Sequence, residues 1–273
     1  MAIPKKVQER ISQSLKTYQG ILLQQKARDV SEADTVTIVK DILTDVFGYD
    51  KYAELTSEHS IRGTFCDLAV KIDNKLAFLI EVKAIGIALK DAHVKQAVDY
   101  AANQGVEWVV LTNGIDWFLY HVVFKKPIDK QEIAHFNLLS ASARNEADVE
   151  KMFLLTREGF SKNALAEYRD RKDATSRFML AAILLNSEPV QTVIRREIRR
   201  VSEILVDPEA IDKMLRDEVI KRETIEGPEA ETAARRVQKC MDRTIRKGGD
   251  KDEGVAQQNP QPVSPPAPSP PPN

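Results

Sequence analysis

The spacing of apolar and polar positions divides the chain into three stretches of different character. Near the start, Val7, Ile11, Leu15, Tyr18 and Leu22 recur at three- and four-residue steps and predict a helix over 4–27. Ser31 as N-cap, Glu32 and Asp34 in the first turn, and a stripe of Val36, Val39, Ile42, Leu43 and Val46 predict a second helix that Gly48 ends. Strand-like runs follow at 65–72 (FCDLAVKI), 76–84 (LAFLIEVKA), 106–113 and 117–124. A helix over 88–104 separates the second run from the third, with Gly105 as its stop. Strand, helix, strand is the mark of a crossover between parallel strands, and the flanking hairpins add antiparallel pairs. The expected fold class is therefore α/β with a mixed sheet.

From about 145 the pattern is helical, with segments at 145–156, 161–186, 189–205, 208–225 and 228–247. Asp207-Pro208 reads as an N-cap with proline at the first helical position, and Gly227-Pro228 as a stop and restart. The end, from Gly248 to VSPPAPSPPPN, is Pro-rich, lacks a core pattern and reads as disordered. The expected organisation is an N-terminal helix at 1–28, an α/β domain at 29–140, a helical region at 141–247 and a tail at 248–273.

Composition narrows the picture only a little. The chain has 273 residues, 42% hydrophobic and 30% charged, which suits a globular protein with a sizeable core. The formal net charge of -1 implies no strong attraction of the whole molecule to nucleic acid or to an anionic membrane, so any nucleic-acid site must be a local patch. Cys66 and Cys240 are far apart and read as free thiols. No stretch reaches transmembrane length and MAIPKKVQER is no signal-peptide core, so the expectation is a cytoplasmic protein with no membrane association.

The hairpin formed by the first two strand-like runs holds the candidate chemistry. Alternation places Leu76, Phe78, Ile80 and Val82 on one face and Ala77, Leu79, Glu81 and Lys83 on the other; on the preceding strand Cys66, Leu68, Val70 and Ile72 share a face opposite Phe65, Asp67, Ala69 and Lys71. A three-residue loop, Asp73-Asn74-Lys75, pairs Ile72 with Leu76, Val70 with Phe78, Leu68 with Ile80 and Cys66 with Val82, and sets Asp67 opposite Glu81. A two-residue loop shifts that register by one and puts Asp67 opposite Ile80. Opposed acids are unfavourable unless one is protonated or a cation lies between them. A hard divalent ion suits such oxygens, and Lys83 would then stand beside its water and a substrate phosphate. The plainer reading of Glu81-x-Lys83 is a cross-strand ion pair or an exposed edge.

The order Asp67, then Glu81-x-Lys83, then Gln96 and Tyr100 in QAVDY resembles the PD-(D/E)xK nuclease superfamily, and more closely the N-terminal nuclease domain of type I restriction enzyme R subunits. SEADTVTIVKDILTDVFGYD (31–50) is similar to that family's opening helix, with Glu32 as its acid, and LTNGIDWFLYHV (111–122) to its closing hairpin. The resemblance covers roughly 25–125. It implies a restriction-endonuclease-like mixed central sheet flanked by helices at 29–140, followed by the all-helical region. It also implies a Mg²⁺-dependent endonuclease, with Mn²⁺ as an alternative ion, acting on DNA. Asp67 and Glu81 would bind the metal, Lys83 would be the catalytic lysine, and Glu32, Gln96 and Tyr100 would support the site. The chain has Cys66-Asp67 in place of Pro-Asp and no G-x-x-x-x-G-K-[ST] phosphate loop, so an ATP-driven motor is not expected. A non-catalytic nuclease-fold module that binds nucleic acid or protein is the alternative, with the C-terminal helices or the Pro-rich tail as the surface for a protein partner.

Other residues have plainer readings. Glu32 also suits a helix N-terminus on dipole grounds, and Glu58, a candidate for the hairpin entrance, also suits a solvated loop. His59, His93, His121 and His135 show no metal-ligand spacing. Trp108 and Trp117 read as core. The arginine runs IRREIRRV (194–201) and ARRVQKCMDRTIRK (234–247) could grip phosphates, but interspersed acids favour a solvated face or a partner surface.

Overall fold

The computed structural model describes residues 2–61 and 64–252, without the side chains of 58–61, 64, 65 and 244–252. Two compact units emerge, the first running to Asp170 and the second from Arg171 onward.

The first unit opens with α1 (Lys5–Ala27) and α2 (Glu32–Asp45), whose apolar stripes are buried except for the half-buried Val36. A six-stranded sheet follows: β1 (Leu55–Ile61), β2 (Thr64–Ile72), β3 (Lys75–Val82), β4 (Trp108–Thr112), β5 (Asp116–Val123) and β6 (Asp129–Asn137), in spatial order of sequence. Only β3 and β4 are parallel, joined by α3 (Asp91–Gln104); the other neighbours are antiparallel. Gly105 closes α3 in the left-handed region, φ 67°, as a C-cap glycine does. This is the mixed α/β sheet expected from the sequence, enlarged by β1 and β6 at its edges. Neither edge strand has the apolar alternation that reveals a strand, since LTSEHSI and DKQEIAHFN are largely polar.

Alternate strand residues build two cores, one on each face. Leu68, Val70, Phe78, Ile80 and Val82 pack with α1, α2 and α4 (Glu146–Leu155), whereas Ala69, Leu79, Val109 and Leu111 pack with α3. The N-terminal helix and α4 thus share one core with the sheet, and the compact unit extends beyond the 29–140 span drawn from the sequence.

The β2–β3 hairpin combines both loop readings. The turn is the two-residue Asp73-Asn74, with φ of 50° and 62°, the left-handed pair that twists with the strands. Ile72 therefore faces Lys75, not Leu76. A bulge then follows: Lys71 faces Leu76 and Val70 faces Phe78, so Ala77 is the extra residue. It restores the longer-loop register over Val70–Phe78 and Leu68–Ile80. Leu76 is thereby turned to the α3 side, where it packs with that core.

In the second unit α7 (Arg177–Asn186) packs on α10 (Pro228–Asp252) around Ala182, Ala233 and Val237. The expected single helix over 161–186 is instead α5 (Arg157–Ser161), α6 (Ala164–Ala174) and α7, with Thr156 and Ser176 capping α5 and α7. The segment read as a helix over 208–225 is α9 (Pro208–Met214), then a π turn (Leu215–Val219) and a 3₁₀ turn (Arg222–Thr224). The backbone of α10 runs to Asp252, past Gly248 where the tail was expected to begin; 253–273 lie outside the described residues.

Candidate active site

The charged residues of the hairpin meet where β2 and β3 stop pairing. The paired ladder ends at Leu68–Ile80, so Asp67 and Glu81 lie just beyond it, and the expected pairs Asp67–Glu81 and Cys66–Val82 do not form part of it. Asp67 Oδ2 accepts the backbone N–H of Val82 at 2.7 Å. This fixes the carboxylate at the mouth of the hairpin and satisfies the Val82 donor. Freed from β3's pleat, Cys66 aims its Sγ at the carbonyl oxygen of Ile80, 3.1 Å away, and packs with Ala69, Leu79 and Tyr100 rather than with Leu68 and Val70, the face expected from alternation. Burial pushes its thiol up to about 12, with Glu81 adding to the effect. Cys66 is thus an inert neutral wall of the site.

Glu81 is buried at 8% exposure, and its Oε1 lies 2.7 Å from Lys83 Nζ. Lys83 Nζ also stands 3.6 Å from Glu32 Oε2, which projects from the first turn of α2. The position of α2 follows from its own sequence. Ser31 caps it by accepting the Asp34 N–H at 3.2 Å, and Thr35, wholly buried, accepts the Ile85 N–H at 3.1 Å. That second bond ties α2 to the segment just after Lys83. On the other side the Lys83 N–H donates to Thr112 O at 2.8 Å, tying the same segment to β4.

Electrostatics reflect three acids around one ammonium. Burial raises the Asp67 carboxyl above its ordinary range; the Val82 N–H and Lys83 oppose the shift and Glu32 adds to it. Burial also raises Glu81, against the Lys83 hydrogen bond and with the help of Asp67. For Lys83, burial pulls downward, but the Glu81 bond and the charges of Glu32 and Asp67 outweigh it and the net shift is upward. Lys83 is therefore a firm cation at neutral pH.

The set offers carboxylate oxygens, the ligand type a hard divalent ion takes, and burial raises both the Asp67 and the Glu81 carboxyl. No group of three or more His, Cys, Asp or Glu among the described residues forms a metal-holding cluster. Two carboxylates completed by waters and a substrate phosphate are the usual complement for Mg²⁺. Asp67 and Glu81 fit such an ion.

Gln96 and Tyr100 lie one turn apart on α3 and line a shared groove of about 350 Å³ with Lys95 and Asp99. Gln96 is exposed, whereas Tyr100 is buried and packs with Cys66, which links α3 to the hairpin. The side chains of Glu58 and His59 lie outside the described residues. His121 faces Arg169, and His135 faces Asp116, remote in sequence from the hairpin acids. In the second unit no residue of α8 (Glu188–Ser202) is buried; Arg200 pairs with Glu197 at 2.7 Å, and on α10 Arg235 pairs with Glu231 at 3.3 Å, as a solvated face would. Sequence reasoning missed Thr35. The signal was there, a small polar residue on the buried stripe of α2, four positions before Val39.

Fold and site together define a mixed α/β domain that gathers carboxylates and a lysine where its central hairpin opens. Residues 38–136 match the family model of the type I restriction enzyme R protein N terminus. The match spans most of α2 through β6 and includes Asp67, Glu81, Lys83, Gln96 and Tyr100, and it relates this stretch to restriction systems. No curated protein and no solved structure matches the chain. No helix among the described residues is long and apolar enough to cross a membrane.

Proposed function

We propose that the first unit is a metal-dependent endonuclease of the PD-(D/E)xK type that hydrolyses DNA phosphodiester bonds. The observation that carries this reading is the convergence of Asp67, Glu81, Lys83 and Glu32, with Lys83 2.7 Å from Glu81 and 3.6 Å from Glu32. The match to restriction R proteins supports DNA as the substrate.

Asp67 and Glu81 would hold a Mg²⁺ or Mn²⁺ ion, which supplies charge neutralisation at the scissile phosphate and an acidified water. The chain's own contributions are orientation and charge. The Val82 N–H holds the Asp67 carboxylate in place. Lys83, its proton retained by the surrounding acids, aligns the attacking water through an N–H and stabilises negative charge gathering on the phosphate oxygens. A protonated ammonium is unsuited to removing the water's proton, so the role of Lys83 is electrostatic. Glu32 holds Lys83 over the site from the opposite side.

Plasmid cleavage with Mg²⁺ or Mn²⁺ tests this. Asp67→Ala, Glu81→Ala and Lys83→Ala should each lose about 10²-fold or more in rate, and equal activity of all three with wild type would remove the assignment. The second reading, a non-catalytic binding module, is favoured by the 2.7 Å Glu81–Lys83 ion pair, in which the two charges compensate each other. On that reading the folded protein neither cleaves nor is stabilised by divalent ions.

A further inference from the structure

A groove of about 590 Å³ opens at the end of the sheet just beyond Lys83. Its walls come from four strand ends: Ile85–Ala88 after β3, Asn113 after β4, Asp116 at the start of β5, and His135 and Asn137 at the end of β6. The carboxyl ends of parallel β3 and β4 meet here, the place where open α/β sheets take ligands. Ile87, Ile115 and Leu139 supply apolar surface, and Lys26, exposed at the end of α1, stands at the rim.

The groove is held in shape by hydrogen bonds. Asn113, at 5% exposure, donates to Ile87 O at 2.9 Å and accepts the N–H groups of Ile115 and Asp116 at 3.1 and 2.8 Å. A Cβ at Gly86 would meet the exposed Asp29 carboxylate, which would have to move aside. Asp116 Oδ1 accepts from Asn137 Nδ2 at 2.8 Å and faces His135 Nε2 at 3.4 Å, and the His135 ring stacks flat on Phe118, centroids 4.0 Å apart. An oriented, part-exposed carboxylate, a ring fixed by stacking, apolar walls and a peripheral ammonium match the parts of one ligand class. The carboxylate accepts from an exocyclic amino group, the walls and ring take a flat heterocycle, and the ammonium takes a phosphate.

We infer that this groove binds a nucleotide, with Asp116 accepting from the amino group of its base and Lys26 meeting its phosphate. The inference rests on the nuclease reading only for the ligand's source, a nucleotide of the strand held at Lys83.

Binding is measured in EDTA, where cleavage does not intervene, by titrating the full-length protein with dCMP, dTMP and a short oligodeoxynucleotide. Wild type should favour dCMP over dTMP. Asp116→Asn, which presents an amide donor in place of an acceptor, should weaken dCMP about tenfold and reverse that preference. Lys26→Glu, at an exposed position that leaves the core intact, should weaken every phosphate-bearing ligand. Tighter binding of the oligonucleotide than of dCMP, with both weakened by Lys26→Glu, assigns the groove to a nucleic-acid strand; equal binding with the same sensitivity assigns it to a free nucleotide. Either result upholds the site. If both variants, folded, bind all three ligands as wild type does, or if wild type binds none, the groove is no nucleotide site. Cleavage is a separate matter: an active enzyme with an insensitive groove loses only the nucleotide site, and an inactive protein with a sensitive groove loses only the nuclease reading.

Discussion

Glu54 and Glu81 are equally buried, each at 8% exposure, yet their surroundings differ completely. Glu54 is matched one to one: Oε1 accepts from Arg157 Nε at 2.7 Å and Oε2 from the Asp50 N–H at 2.9 Å. Beside it Glu158 takes both ends of the Arg10 guanidinium at 2.7 Å, and the same Arg10 donates to the carbonyls of Val46 and Phe47 that close α2. Gly48, at φ 81°, leaves the room this guanidinium needs. These pairs bind distant segments together and leave no charge uncompensated. Around Glu81, three acids share Lys83 as their ammonium. A fold that required only stability would not assemble such an excess, since buried like charges oppose folding. The difference separates acids matched one to one from acids that share an ammonium, and on the proposed function the second group would meet a metal ion.

The comparison can be broken at several points. The largest stability effect belongs to the balanced pair. Glu54→Ala strands the Arg157 guanidinium and the Asp50 N–H and should lower unfolding free energy by about 2–3 kcal/mol in urea denaturation. At the unbalanced site the sign should reverse. Asp67→Asn keeps an acceptor for the Val82 N–H and removes one of three crowded charges, so without divalent ions it should stabilise the protein by about 1 kcal/mol. A loss there as large as that of Glu54→Ala would make Asp67 a structural acid.

The smallest effect is the pH dependence without divalent ions. Asp67 and Glu81 have folded values above their ordinary 3.8 and 4.5, so their ionisation penalises the fold fully above the raised values. The penalty fades as pH falls through them. Glu158 has the opposite sign, because the Arg10 hydrogen bond lowers it; its contribution is present above its ordinary 4.5 and lost as pH falls through the depressed value. Thermal melts between pH 7 and 3 should rise slightly before they fall, and Asp67→Asn should flatten the rise.

Much of this was legible in the sequence, and the exceptions have physical causes. The acids and lysine of the hairpin were readable because strand alternation fixes which side chains share a face. Glu32 was readable as a first-turn acid of α2. The loop length was open between two and three residues: Asp73-Asn74 takes the left-handed pair of a two-residue turn, and the bulge at Ala77, which leaves no composition signal, restores the Leu68–Ile80 register of the longer loop. The Glu54–Arg157 pair and the Asp116–His135–Asn137 groove join residues remote along the chain, and no local pattern announces them. Edge strands β1 and β6 were missed because LTSEHSI and DKQEIAHFN are largely polar and show no sustained apolar alternation, although β6 buries Ile133, Ala134 and Phe136.

The most direct test of the unbalanced site is the melting temperature of metal-stripped protein titrated with Mn²⁺, in wild type, Asp67→Asn and Glu81→Gln. Preferential binding to the folded state stabilises it by RT ln(1 + [L]/Kd), about 2.7 kcal/mol at a hundredfold excess over Kd. The account predicts a saturable rise for wild type that both variants lack. Equal curves for all three proteins, rising or flat, would contradict it.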